Sequence, residues 1–183
     1  MGGSDRRMKN RLKKTLTNLW SGELAAVFVF WLDYFLFKWL DHTLFKDRIF
    51  GTDIFSSVLF TLFVLSFILV QGSAYWLILT KRITDPEFGK GTVRKIYRIF
   101  RMIDLVLICL GIPVIIIFHT SVPAAVLAVF LLLFALVEWI NYFEWRLSYS
   151  YNPAVVIRYT LQRKLKRSKI AKEIEQSGKV CML

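Results

Sequence analysis

Three carboxylates sit inside runs of residues far too apolar for water: Asp33, Asp104 and Glu138. An ionised acid at such a position costs roughly 2.5–3.5 kcal/mol on insertion scales, so each must be protonated, solvated in a cavity or paired. Gln71 and Asn141 lie in equally apolar surroundings and add amide donors and acceptors. Together, Asp33, Asp104, Glu138, Asn141 and Gln71 form a candidate intramembrane polar site. The chemistry open to such a set is proton or cation handling, with Asp104, Glu138 and Asn141 in the cytosolic half and Asp33 above them. The competing reading makes the same groups helix-packing links, hydrogen-bonded to neighbours or paired at headgroup level with Arg98 or Arg101, one turn below Asp104.

The elements that must position these groups are apolar helices. From Ser121 to Arg146 the chain is apolar until Glu138-Trp-Ile-Asn-Tyr-Phe-Glu144. At 100° per residue Ala124, Ala128, Ala135, Glu138 and Tyr142 fall within about 40° of one direction, while Val126, Val129, Phe130, Leu133, Val137 and Ile140 point away. One face suits lipid, and the small-residue face admits another backbone. The first run, about 24–40, repeats this pattern: Gly22, Ala26, Phe30, Asp33 and Phe37 share a face, and all three acids are expected to turn inward. The second run, 54–80, carries no charge and is longer than a hydrocarbon core of about 30 Å requires. Gln71-Gly72-Ser73 is its expected polar or flexible point. The third run, 103–118, opens on Asp104, with Gly111 and Ile115 on the same face, and Gly111-Ile-Pro113 predicts a kink or local unwinding.

Composition agrees. The 183 residues are 56% hydrophobic and 16% aromatic, beyond the usual apolar share of a soluble domain. The formal charge of +12 is segregated between the apolar runs, which points to orientation and anionic headgroups rather than nucleic acid. Of the 25 basic residues, Lys38 falls within the first run and Lys46 and Arg48 in the loop after it. Every other one lies on a single side if both termini and the 81–101 loop are cytosolic. Arg98, Arg101, Arg158, Lys164, Lys166 and Arg167 are the candidate anionic-lipid contacts. Beyond Asn152-Pro153, Ile157, Leu161 and Leu165 recur every four residues among basic ones, which predicts an amphipathic helix on the membrane surface.

Motif chemistry is otherwise lacking. His42 and His119 fall on the same outer side, but no further ligand joins them, so no metal or cofactor is expected. Gly89-Lys-Gly-Thr92 lacks the spacing and the preceding strand of a phosphate loop, and nucleophile and dinucleotide motifs are absent. Cys109 and Cys181 cannot build a disulfide framework. Arg6 spoils an N-myristoylation motif, and Cys181 misses a prenylation box by one position. The N-terminus reads as a signal anchor rather than a cleaved leader.

The expected fold is an all-α membrane protein of four transmembrane helices in two antiparallel hairpins. A basic cytosolic segment (1–22) precedes the transmembrane domain (23–146, spans 24–40, 54–80, 103–118 and 122–143, with a basic cytosolic loop at 81–101), and a basic tail (147–183) carries the amphipathic helix. The expected function is that of a non-enzymatic accessory, assembly or protective protein of the plasma membrane, acting by contact within a homo-oligomer or larger complex. The alternative is a small proton- or cation-coupled transporter or channel.

Overall fold

The computed structural model describes residues 2–51, 56–144, 168 and 170. Among them the secondary structure is helical throughout, in the order α1 (Gly2–Leu40), a π-helical turn (Asp41–Phe45), α2 (Ser57–Arg82), α3 (Lys90–Phe118) and α4 (Val122–Phe143). Three of these, α2, α3 and α4, are long and apolar enough to cross a membrane. At 1.5 Å per residue the 26 residues of α2 reach roughly 39 Å. The amphipathic helix expected in the tail, and with it Arg158, Lys164, Lys166 and Arg167, lies outside the described residues.

Helix α2 is the centre. It packs against α1, α3 and α4, α3 also meets α4, and α1 and α4 make no close backbone approach. Its neighbours leave Val58, Leu62, Val64, Leu65 and Ile68 almost wholly buried. The link from α1 to α2 is an antiparallel pairing along most of its length: Ser73 Oγ donates to the Trp20 carbonyl at 2.9 Å, Trp76 Nε1 to Glu23 at 2.8 Å, and Trp31 Nε1 to Ser66 Oγ at 3.0 Å. The α1 residues of this seam recur at steps of three and four, from Leu16 through Trp20, Glu23, Val27 and Trp31 to Tyr34, as a helix packed along one face requires.

Two helices extend beyond the apolar runs for the same reason. The basic 1–22 segment and the first apolar run form one helix of 39 residues, because the packing stripe starts at buried Leu16 rather than at the first apolar run. Within the basic 81–101 stretch the second half is helical, as the sequence from Val93 to Phe100 suggests, and α3 begins at Lys90. Val93, Tyr97, Asp104, Ile108 and Gly111 are buried at helical spacing, so the packed face of α3 runs through the basic region. No unwinding occurs at Gly111-Ile-Pro113. The chain stays helical through Pro113, on the exposed side, and Gly111 marks a close approach in which a Cβ would lie 2.6 Å from Leu132 Cδ1.

Helix ends follow local chemistry. Ser56 Oγ accepts from the Leu59 N–H at 3.3 Å and starts α2. Ser121 Oγ accepts from Ala124 N–H at 3.2 Å and starts α4, with Pro123 in the first turn. After α1 the chain reverses through Lys46 and Asp47, both at positive φ, and Gly51. The buried carboxylate of Asp41 holds that reversal, accepting the Phe50 N–H at 2.7 Å and the Ile49 N–H at 3.1 Å. The Ile49 carbonyl in turn accepts from Thr120 Oγ1 and Ser121 Oγ, each at 2.8 Å. The α1–α2 loop and the α3–α4 turn therefore lie at one end of the molecule, tied together.

Candidate functional site

Helix α4 behaves as its wheel requires. Ala124, Ala128, Ala135 and Tyr142 are buried, Glu138 is half-buried, and Val126, Val129, Phe130, Leu133 and Val137 are exposed. The acid-bearing face of α4 thus looks toward α2 and, beyond it, toward α1. Because α1 and α4 do not touch through their backbones, a cavity of about 410 Å³ is left between them, backed by α2.

The sequence-derived candidates divide between this cavity and a separate seam. Glu138 and Asn141 line the cavity, with Asn141 Nδ2 donating to Glu138 Oε2 at 3.4 Å. Asp104 and Gln71 meet instead between α2 and α3, where Gln71 Nε2 donates to Asp104 Oδ1 at 2.8 Å and Tyr97 donates its hydroxyl proton to the Gln71 carbonyl at 2.7 Å. Asp104 is wholly buried. One shared site for Asp104 and Glu138 is therefore not formed: α2 lies between α1 and α3, so the groups on its two sides serve different partners.

Asp33 is the second correction. It is exposed on α1 rather than turned inward. The wheel correctly groups it with Gly22 and Ala26, but that face is the flank of α1 beside the cavity. The face that packs, Trp20 to Tyr34, is rotated from it by roughly a third of a turn. Arg101 is also spoken for, since its guanidinium pairs with Glu144 and its carbonyl accepts from Trp139 Nε1 at 3.3 Å. Arg98 is exposed.

Sequence reasoning missed Glu23. It stands one residue before the apolar run and reads there as a helix-end charge, yet its spacing of three from Trp20 and four from Val27 places it on the packing stripe. Its Oε1 accepts from Trp76 Nε1 at 2.8 Å, the Tyr142 hydroxyl is a second hydrogen-bonding neighbour, and Oε2 is buried with no partner. Glu23 and Glu138 line the same cavity.

Around these acids the wall is apolar and aromatic: Leu19, Gly22, Ala26, Phe30, Leu69, Tyr75, Trp76 and Phe134, with Asn18, Ser168 and Ile170 completing the lining. No Lys or Arg lines it among the described residues. The aromatic rings of Phe30 and Phe134 meet edge to face at 6.1 Å, and beyond them α2 and α4 close on Ala128 and Ala124 against buried aliphatic side chains. The arrangement can hold a group that is cationic at one end and apolar at the other.

His42 and His119 serve the loops. His42 Nδ1 lies 3.0 Å from Asp47 Oδ2, and His119 Nδ1 lies 3.0 Å from the Ile116 carbonyl. Among the described residues no three His, Cys, Asp or Glu side chains are grouped to hold a metal ion. No known protein family, curated protein or solved structure matches this chain.

Proposed function

We propose that this is a four-span protein of the plasma membrane, with both termini cytosolic, that acts by binding and contact and makes or breaks no bonds. Support for α1 as the first span comes from its antiparallel run beside α2 and from the exposed Phe28, Val29, Leu32, Phe35, Leu36 and Phe37, side chains suited to acyl tails. The charge segregation supports the orientation. Arg98 and the basic tail would then lie against anionic headgroups, and a second copy or a larger complex would be the natural partner.

The observation that carries the contact reading is the one-ended cavity. Its acids collect near the end where α2 and α4 finish, and farther along α2 the buried polar residues Ser66, Thr61 and Ser57 are uncharged, with Ser66 held by Trp31 and Thr61 bonded back to its own helix. A coupled carrier needs titratable groups that continue the route. The carrier reading draws its support from the two acids themselves, and reconstitution separates the two. Purified protein in liposomes is expected to leave imposed proton, sodium and potassium gradients intact. A photoreactive residue at Ala26 is expected to give a defined adduct in native membranes where one at Val126 gives only lipid. Gradient dissipation that disappears in Glu138→Gln would replace this reading with a coupled carrier.

A further inference from the structure

Resting on the contact reading, we infer that the cavity between α1 and α4 binds an alkylammonium: a cationic nitrogen between Glu23 and Glu138, with its aliphatic chain lying past Phe30 and Phe134. Four observations converge on that chemistry. Two carboxylates face the cavity and no basic residue lines it among the described ones, so a cationic ligand is what would let both acids stay ionised there. Glu23 Oε2 is buried without a hydrogen-bond partner, and a buried polar oxygen in this state favours a ligand that supplies positive charge. Trp76, Tyr75, Tyr142 and Phe30 put aromatic rings around the acids, the surroundings in which ammonium groups are bound through ring faces. The remaining wall is apolar, and a volume of about 410 Å³ falls in the range of small-molecule sites, about 300–1,000 Å³.

A bare divalent ion fits poorly. Calcium and magnesium are held by several converging oxygen ligands, whereas among the described residues no three His, Cys, Asp or Glu side chains are grouped to hold a metal ion and most of this wall is apolar. Entry is expected from the side, between α1 and α4, where Gly22 has nothing within 4 Å of a would-be Cβ.

The test uses the full chain in nanodiscs with radiolabelled dodecylammonium, whose N–H groups can donate to Glu23, empty nanodiscs being subtracted. Saturable binding is expected, weakened at least about tenfold by Glu23→Gln or Glu138→Gln and abolished by Ala26→Phe, which fills the cavity without removing a polar group. Thermal unfolding of each variant checks that it is folded. Dodecyl maltoside, with the same chain and no charge, is expected not to compete. Binding unchanged in folded Glu23→Gln/Glu138→Gln, or equal competition by dodecyl maltoside, would overturn the assignment while leaving the contact reading intact. Ion flux in the liposome experiment would overturn the contact reading whatever the binding result.

Discussion

The ring of Tyr142 occupies the space that a side chain on Gly72 would need: a Cβ there would stand 2.3 Å from Tyr142 Cζ. Gly72 is the middle of three consecutive α2 residues that each serve a different helix. Gln71 bonds Asp104 on α3, Gly72 receives Tyr142 of α4, and Ser73 bonds the Trp20 carbonyl of α1. Steps of 100° make this possible, and the tripeptide is the rigid hub of the molecule rather than a flexible point. In an unencumbered helix Ala is favoured over Gly by about 1 kcal/mol. Here Gly72→Ala is expected to destabilise by about 1–3 kcal/mol through overpacking, and to become neutral or stabilising in a Tyr142→Ala background. Denaturant unfolding of the four proteins of this cycle measures the sign. An equal cost in both backgrounds would detach Gly72 from Tyr142.

The Gln71–Asp104 pair leaves two buried acceptors, Gln71 Oε1 and Asp104 Oδ2, without partners. An amide at position 104 replaces one orphan acceptor by a donor and keeps the shape. Asp104→Asn is therefore expected to hold or raise stability, whereas Asp104→Ala, which strands the Gln71 amide, is expected to cost about 1–2 kcal/mol. Thermal unfolding in mild detergent ranks the three proteins. If the asparagine variant is less stable than the parent, then the acid is needed for itself.

How far the sequence discloses this molecule depends on whether a feature is periodic or tertiary. The small-residue face of α4 is legible because Ala124, Ala128 and Ala135 differ in size from Val126, Phe130 and Leu133, and period 3.6 sorts them. Asp33 shows where a wheel stops: periodicity says which residues share a face, not which face meets a neighbour, and only the Trp20–Tyr34 seam with α2 settles that. Glu23 hides for another reason, since a charge at the edge of an apolar run looks like its end. The division of Asp104 from Glu138 is not readable at all, because it depends on α2 presenting Gln71 to α3 while Glu138 of α4 lines the cavity beside α1.

At the loop end of the molecule Asp41 is fully enclosed, and its carboxylate satisfies the Ile49 and Phe50 N–H groups. Truncation leaves the buried Phe50 donor and the half-buried Ile49 donor unpaired. Asp41→Ala is expected to cost about 1–3 kcal/mol and to loosen the tie from Ile49 to Thr120 and Ser121, raising hydrogen exchange at residues 49 and 50 together with that at the α3–α4 turn. Faster exchange at 49 and 50 alone would mean that the two loops are held independently. Ser121→Ala removes one of the two hydroxyls on the Ile49 carbonyl and the N-cap of α4 at once, and is expected to cost about 1 kcal/mol or more.

The same tie fixes a test of topology. Because Ile49 bonds Thr120 and Ser121, the α1–α2 loop and the α3–α4 turn must face one compartment, and the short connection from Ile83 to Gly89 lies at the opposite end of α2 and α3. With Cys109 and Cys181 replaced by serine, single cysteines at exposed Thr43 and His119 are expected to react with a membrane-impermeant maleimide in intact cells. A cysteine at exposed Glu87 is expected to react only after permeabilisation, since the basic residues that flank this connection favour the cytosol. Labelling at 43 and 119 under opposite conditions would contradict the pairing of the loops. Labelling at Glu87→Cys alone in intact cells would keep the fold and invert its orientation, placing the acidic cavity in the outer rather than the inner half of the bilayer.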